Sequence, residues 1–381
     1  MASSDFNRLP QRVGAEGVTA NCRRLIFVAP FPPQVHGQSV STAYLYRQLT
    51  DDGVPIRKVD INRRDGNPVL MTASRLLRHL DAARRLLFDA PGPAYISVNA
   101  NVGMWITAAL ALIGRLRGRG LLFHHHTYSH IDHEKPAARA LIRFAGPAAQ
   151  HILICATMSN ELERRYGRIQ HLELSNVTAV DPALRQNPLT DRTSPVTLGH
   201  LSNLTVEKGI KRVVDAFRAA KQAGLADKLI VAGSCVDLEA EQVVEAARAE
   251  FGEDFDHRGR VGGEAKHRFF SDIDVFLFPS LYSNETEGIV LLEALAAGKP
   301  AIAYGLCCIN AILDDPSGRV VPPDAPFSPA VVDFLRSMQG RLPQVAAGAQ
   351  SRFDSLLTQG QQERQRVLSV ITAMLAKPRA N

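Results

Sequence analysis

With 381 residues, 45% of them hydrophobic and 22% charged, the chain is long enough for two well-packed domains and too apolar for a disordered or fibrous protein. Lys and Arg outnumber Asp and Glu by 44 to 38, and the excess sits in the first part: 23 against 14 through residue 187, then 21 against 24. That imbalance implies an anionic partner for the amino-terminal half, a phosphorylated lipid or membrane surface rather than nucleic acid, since no nucleic-acid module or interleaved aromatic platform is present.

The opening MASSDFNRLPQRVGAEG carries no apolar run, so no secretory leader is expected, and the longest apolar stretch, Val102 to Gly114, is too short to span a bilayer. Five cysteines (Cys22, Cys155, Cys235, Cys307, Cys308) are odd in number and lack C-x-x-C spacing. That argues against a disulfide framework or a zinc cluster, and for a reducing cytoplasm.

The first strand signal is Arg24 to Ala29, apolar and bounded by Pro30, as in a buried parallel strand. The loop PFPPQVHGQSVS follows, and a helix is expected from Ser41 to Leu49; Gly37 would let the backbone approach a ligand at its start, or the loop is an ordinary connection. Strands at Ala94 to Val98, Gly120 to His124 and His151 to Cys155 alternate with helices at Met104 to Leu116 and Ala137 to Phe144. The polar, proline-bearing stretch from Asn176 to Pro195 reads as an interdomain connection. Alternation then restarts: strands at Val196 to His200, Lys228 to Ala232, Val275 to Phe278 and Ala301 to Tyr304, with helices at Ile210 to Ala223, Glu239 to Phe251 and Ile289 to Ala297. Two successive parallel α/β domains are implied, residues 1–187 and 188–345, with a helical tail over 346–381 packing back toward the first. Ligands of such sheets bind beyond the carboxyl ends of the strands, so the two domains would enclose a cleft.

Between Ser74 and Phe88 an amphipathic helix is expected, with Leu76, Leu77, Leu80, Ala83, Leu87 and Phe88 on one face and Arg75, Arg78, Asp81 and Arg85 away from it. Either the Leu stripe packs on the sheet, or it meets an anionic membrane surface. The triplet His124-His125-His126 ends a strand, so His124 and His126 share one face and His125 takes the other. A metal site with His130 and His133, a hydrogen-bonded structural pair, and a cleft role for His126 or His124 all remain open.

The densest constellation is PSLYSNETEGIVLLEALAAG, Pro279 to Gly298. It places Glu285 in a loop and Glu293 one turn into the following helix. Free amides at that helix start favour phosphate, while carboxylates accept hydrogen bonds from sugar hydroxyls. The pattern suits a ligand carrying both, such as a nucleotide sugar; alternatively the acidic residues merely complement the helix dipole. Earlier, Lys208-Gly209 precedes a helix and could place an ammonium on a diphosphate, or be a solvated Lys before a turn. Asp272-Ile273-Asp274 leads into a buried strand and reads as structural.

Pro279-Ser280, Glu285, seven intervening residues, Glu293-Ala294 and Gly298-x-Pro300 together resemble the E-x7-E signature of retaining glycosyltransferases of the B-type (GT-B) fold, above all family 4. The resemblance runs from Leu25 to Leu375 and is strongest from Thr197 to Pro300. It implies two Rossmann-like domains facing across a cleft, the first for the acceptor and the second for a nucleotide-diphosphate sugar. It assigns Glu293 to the ribose, Glu285 to the transferred sugar, and Lys208 with the amides of Gly288 and Ile289 to the diphosphate. A G-x-V turn at Gly259-Arg260-Val261 would meet the base, and His126, or failing it His124, would face the sugar; His124 and His36 are acceptor-side candidates. The implied catalytic set is Glu285, His126 and Lys208, with no cofactor or metal. The acceptor would be a glycan or a lipid-linked molecule at the inner membrane face. Two departures stand out: Asn203 occupies the position of a usual Arg, and Tyr304 to Ile309 replaces a glycine-rich turn. A nucleotide-sugar epimerase or a non-catalytic nucleotide-sugar-binding protein of the same fold are the competing readings.

Overall fold

The computed structural model describes residues 23–32, 37–62, 68–187, 189 and 195–377, with side chains withheld over 68–73. His36 lies outside the described residues, as does part of the interdomain connection.

The first domain alternates β1 (Leu25–Ala29), α1 (Gly37–Asp51), β2 (Ile56–Asp60), α2 (Pro68–Phe88), β3 (Ala94–Ser97), α3 (Gly103–Leu116) and β4 (Leu121–His124). A single turn α4 (Ser129–Asp132), α5 (Pro136–Ala145), β5 (Gln150–Leu153), α6 (Ala156–Tyr166) and β6 (Gln170–Glu173) complete it. Its sheet is parallel in the order β2-β1-β3-β4-β5-β6. Two 3-10 turns, Asn176–Ala179 and Pro182–Gln186, carry the chain across.

The second domain repeats the alternation with β7 (Val196–Leu201), α7 (Ile210–Gln222), β8 (Ala226–Ala232), α8 (Leu238–Phe251), β9 (Phe255–His257), α9 (Glu264–Asp272) and β10 (Val275–Phe278). It continues through α10 (Ile289–Ala296), β11 (Ala301–Tyr304), β12 (Gly318–Val321), α11 (Phe327–Met338) and the long α12 (Leu342–Ala376). The second sheet is also parallel, in the order β12-β11-β10-β7-β8-β9. Strand order reverses at β1/β3 in one sheet and at β7/β10 in the other. Loops leaving such a reversal part to opposite faces and open a crevice at the carboxyl ends.

The interior strands are wholly buried runs such as LIFVA in β1 and VFLF in β10, as expected for sheets covered on both faces. Helix α12 begins at Leu342, four residues before the tail read from sequence. Its first half packs Leu342 and Val345 into one core of the second domain and Phe353 into another, while Val367 and Ile371 share the first domain's core with Leu25, Phe27 and Tyr95. One helix therefore fastens both domains.

Two expectations are overturned. Helix α2 does not pack by its Leu stripe: Leu76, Leu77, Leu80 and Phe88 are 56, 65, 55 and 77% exposed, and the inward face is His79, Ala82 and Leu86. His79 bonds through Nδ1 to the Arg75 carbonyl at 2.7 Å and lies near Asn99, and small Ala82 lets the helix approach its neighbours. Polar anchoring and fit, rather than hydrophobicity, choose the buried side. The second correction is a disulfide between Cys155, just after β5, and Cys308, in the 3-10 turn after β11. Its partners lie 153 residues apart, beyond any spacing rule, and it removes the cysteine-count argument for a reducing compartment. Around it Ile131, Leu153, Ile154, Met158 and Leu162 of the first domain bury against Cys307 and Cys308 of the second. Among the described residues no helix is long and apolar enough to cross a membrane.

A crosslink closing so long a loop stabilises by constraining the unfolded chain, by about 3–5 kcal/mol. Denaturant unfolding of the wild type under reducing conditions should match that of a Cys155→Ser variant, both lower by roughly that amount than the oxidised protein. Identical midpoints with and without reductant would refute the crosslink's contribution.

Candidate active site

The crevice at β7/β10 is built from two loops. Residues 202–209 leave β7, and 279–288 leave β10. They touch because Gly209, at φ +97°, brings its α-carbon against Pro279; a Cβ there would stand 2.4 Å from the Pro279 carbonyl oxygen. The Leu281 amide donates to the Glu207 carbonyl at 2.9 Å, closing the contact. Below it, buried His200 ties the strands together, bonding through Nδ1 to the Leu277 carbonyl and through Nε2 to Ser202 Oγ, each at 2.9 Å. Burial pushes its pKa down to about 4, so it spans the two strands as a neutral ring.

On this frame Lys208 and Glu285 come together: Nζ donates to Oε2 at 2.5 Å, and Ser280 Oγ donates to the same oxygen at 3.1 Å. The ammonium also stands 4.5 Å from the centroid of the Tyr282 ring. A half-buried cation and a buried anion are thus held side by side. The helix beyond starts sharply, because Gly288 takes a left-handed conformation (φ +66°) against Phe278, whose ring a Cβ would meet at 2.9 Å. Helix α10 is apolar except for Glu293, one turn in. Its Oε1 accepts from Lys266 Nζ of α9 at 2.7 Å, whereas buried Oε2 has no hydrogen-bond partner. Burial raises the Glu293 pKa, against the pull of Lys266. Asn284 Oδ1, in the same loop as Glu285, is likewise buried without a partner. Buried acceptors left open are rare in proteins, and each can take a hydrogen bond from a water or a ligand donor.

The remaining sequence candidates of this domain stand on separate loops of the same edge. Asn203 is exposed in the loop after β7. Val261 is half-buried after β9 and packs against the domain core. Asp272 and Asp274 are structural: Arg258 pairs with Asp272 at 2.6 Å, and the Thr197 amide donates to Asp274 at 2.8 Å.

In the first domain the histidines divide by strand alternation. His124 Nδ1 meets the Tyr95 hydroxyl at 2.6 Å, and its ring centroid lies 3.8 Å from that of buried His126 with the two planes tilted by 38°. His125, on the opposite face, bonds to His130 at 2.9 Å and to His151 at 3.0 Å. Histidines that spend their nitrogens on one another form a structural chain, which takes His130 out of the metal reading. Gly37, the first residue of α1, is exposed with no atom within 4 Å of a would-be Cβ. Sequence reasoning gave no role to Lys266, His200 or Glu287, whose pairings join residues distant along the chain. The only signal for Lys266 was its place at the start of a helix beside the candidate site.

Burial lowers the pKa of His124 and His125 far below the usual value, of His130 to about 3 and of His151 to about 4. The unfolded chain takes up these protons near pH 6.5 and the native state only nearer pH 3–4, so stability is present above about 6.5 and lost as pH falls through that window. Glu287 and Glu293, with raised pKa values, act in the opposite sense but are outnumbered. Thermal unfolding should show stability falling toward pH 4 by roughly 1 kcal/mol per pH unit for each such histidine. A flat profile from pH 6.5 to 4.5 would contradict the neutral chain.

Residues 183–328, which include Lys208, Glu285 and Glu293, match the family model for glycosyl transferases group 1. The chain is 37% identical over 101 residues to a phosphatidyl-myo-inositol mannosyltransferase of Mycobacterium leprae, spanning 25% of this chain and 27% of that protein. It is 30% identical over 119 residues to an alpha-monoglucosyldiacylglycerol synthase of Streptococcus pneumoniae, spanning 31% of this chain and 26% of the relative. Both matches thus reach about a quarter of the relatives' length. HepE of Anabaena, solved with UDP and glucose, superposes with a TM-score of 0.64 at 15% identity, covering 91% of this chain and 100% of that one. Two parallel six-stranded sheets joined in this way are the expected GT-B architecture.

Proposed function

We propose that the protein is a retaining glycosyltransferase of family 4 that moves a sugar from a nucleotide-diphosphate donor to a hydroxyl of a lipid-linked or glycan acceptor. The observation that carries this reading is the pairing of Lys208 with Glu285 beside the start of α10, one turn from the open carboxylate oxygen of Glu293. On donor binding, the Lys208 ammonium and the amides of Gly288 and Ile289 receive the diphosphate. Glu285 turns to the sugar hydroxyls, and Glu293 Oε2 accepts from the ribose. Charge that develops on the departing diphosphate is then met by groups already in place, the kind of stabilisation worth most in enzymes. Fixed cations at that point make a metal ion unnecessary, and attack from the face the diphosphate leaves retains configuration. Val261 lines the base side. His126, with His124 and His36, belongs to the acceptor side, and Asn203 offers a hydrogen bond where relatives carry a cation.

Lipid-linked acceptors suit the first domain's surface. The exposed Leu76, Leu77, Leu80 and Phe88 of α2 are accompanied by exposed Trp105, Leu112 and Leu116 of the neighbouring α3 and by Val102 just before it, on a domain with excess positive charge. Such a surface lies on an anionic membrane without crossing it, and we place the protein at the inner face. The named relatives act on lipids, which supports the same reading.

Label from UDP-glucose or another nucleotide sugar should pass to material in a membrane extract. Lys208→Ala and Glu285→Ala should each cut the turnover by about a hundredfold or more, with EDTA having no effect. Unchanged transfer in both variants, or abolition by EDTA, sinks the mechanism; altered free donor with no transfer indicates an epimerase. For the membrane surface, a Leu77→Glu/Leu80→Glu variant should lose cosedimentation with phosphatidylglycerol vesicles, and binding undiminished by those charges would remove α2 from the contact.

A further inference from the structure

Glu287 lies between Glu285 and Gly288 in the donor loop, yet the donor site leaves it unused. It is 4% exposed, an unusual position for a carboxylate. Its Oε1 accepts from Ser175 Oγ at 2.5 Å, and its Oε2 accepts from the backbone amide and side-chain Nδ2 of Asn176 at 2.8 and 2.9 Å. These are the residues at which the chain leaves the first sheet. Asn176 Oδ1 in turn accepts from Ser41 Oγ at 2.5 Å, about one turn into α1. The Ser175 amide donates to Glu363 of α12 at 2.9 Å.

A buried chain of hydrogen bonds therefore runs from the donor loop, through the interdomain crossing, to the helix that begins at the first domain's cleft edge. Burying a carboxylate costs more than burying an apolar side chain unless its oxygens are satisfied. Here three donors converge on it, and they fix its direction as well as its depth.

We propose that Glu287 is a positioning residue: through Asn176 and Ser41 it sets the amino-terminal turns of α1 against the loop that carries Glu285 and Gly288. The consequence for catalysis rests on the glycosyltransferase reading; the clamp itself does not. In that setting the geometry of acceptor relative to donor depends on a side chain that touches neither.

The groups facing Glu287 are Ser175 and Asn176 from the crossing, Glu363 from α12 and Cys307 from the turn after β11. Burial pushes its pKa up to about 7, with the bonds from Ser175 and Asn176 pulling it down and Glu363 adding to the rise. Only the ionised carboxylate accepts all three donors, because a proton on either oxygen would oppose an N–H or O–H already pointing at it. The folded pKa lies above the unfolded one, so this group's contribution to stability is greatest at low pH and is lost as pH rises through about 7. The clamp is thus fully formed where it stabilises least, which suits a role in geometry.

The test compares hydrogen exchange, donor affinity and turnover in full-length wild type, Glu287→Ala, Glu287→Gln and Ser41→Ala. Amides of residues 38–45 and 175–179 should exchange about tenfold faster in Glu287→Ala and Ser41→Ala, the effect of one lost charge-assisted hydrogen bond or its relay, with α7 and α8 unchanged. Turnover should fall by at least about tenfold in Glu287→Ala while affinity for UDP-glucose stays within about twofold. Glu287→Gln, neutral at every pH, should hold turnover near the low-pH value of the wild type and lose the wild-type rise between about pH 6 and 8. Exchange of α1 unaltered in Glu287→Ala, or donor affinity falling in step with turnover, overturns the proposal. Should wild type transfer no sugar, the glycosyltransferase reading fails and the exchange result alone decides the clamp. Should Glu287→Ala not fold, Ser41→Ala decides it, since that variant leaves Glu287 and its donors intact.

Discussion

The parting of β7 from β10 is the constraint on which the candidate site depends. Because strand order reverses there, the loops after these strands cannot be covered by a crossover helix, and their polar groups face a crevice. His200 links the two strands through Nδ1 to the Leu277 carbonyl, while its Nε2 holds Ser202 at the start of the loop leaving its own strand, and burial keeps the ring neutral. Gly209 then lets one loop ride on the other, and Lys208 and Glu285 meet as a result. The charged pair is therefore an outcome of sheet order, with each step down the chain of causes using a residue that carries no chemistry of its own.

Each carboxylate of this edge has a distinct environment. Glu285 is buried and shares one oxygen between Lys208 and Ser280. Glu293 is deeper, with one oxygen on Lys266 and the other without a partner. Breaking a buried pair on one side leaves an uncompensated charge, so Lys266 is needed for Glu293 to remain ionised at that depth. Lys208 is the more solvated member of its pair and Glu285 the buried one. At Glu293 an incoming ligand finds an acceptor already free. The first carboxylate is engaged by a cation and a hydroxyl on one oxygen, and the second keeps one oxygen open.

How much of this was legible in the sequence depended on burial. All eight interior strands are signalled by continuous apolar runs, and the four strands passed over, β2, β6, β9 and β12, are the edges of the two sheets. Edge strands such as IRKVD and QHLE face solvent on one side and carry the polar residues that conceal them. Glu285, Glu293 and Lys208 were legible because their spacing along short loops encodes their geometry. Lys266, Glu287, Cys155 and Cys308 were not, since each acts on a partner brought close only by the fold. Helix α2 failed for another reason: hydrophobicity identified a stripe, but hydrogen bonding by His79 and the small volume of Ala82 selected which side turned inward.

The domain junction brings these strands of reasoning together. Across it run a disulfide from Cys155 to Cys308, the hydrogen bonds of Glu287 to Ser175 and Asn176, and the body of α12. The Cys308 amide donates to the Thr286 carbonyl at 3.0 Å, so the disulfide reaches the backbone residue next to Glu287. The loop of Glu285 is consequently tied to the opposite domain on two sides, once by the hydrogen bond to Cys308, itself crosslinked to Cys155, and once through Glu287. A loop held in this way cannot follow its own domain alone. The position of residues 285–288 is therefore tied to the first domain through Glu287, Thr286 and Cys308, and for that reason the orientation of the first domain is part of the site's geometry.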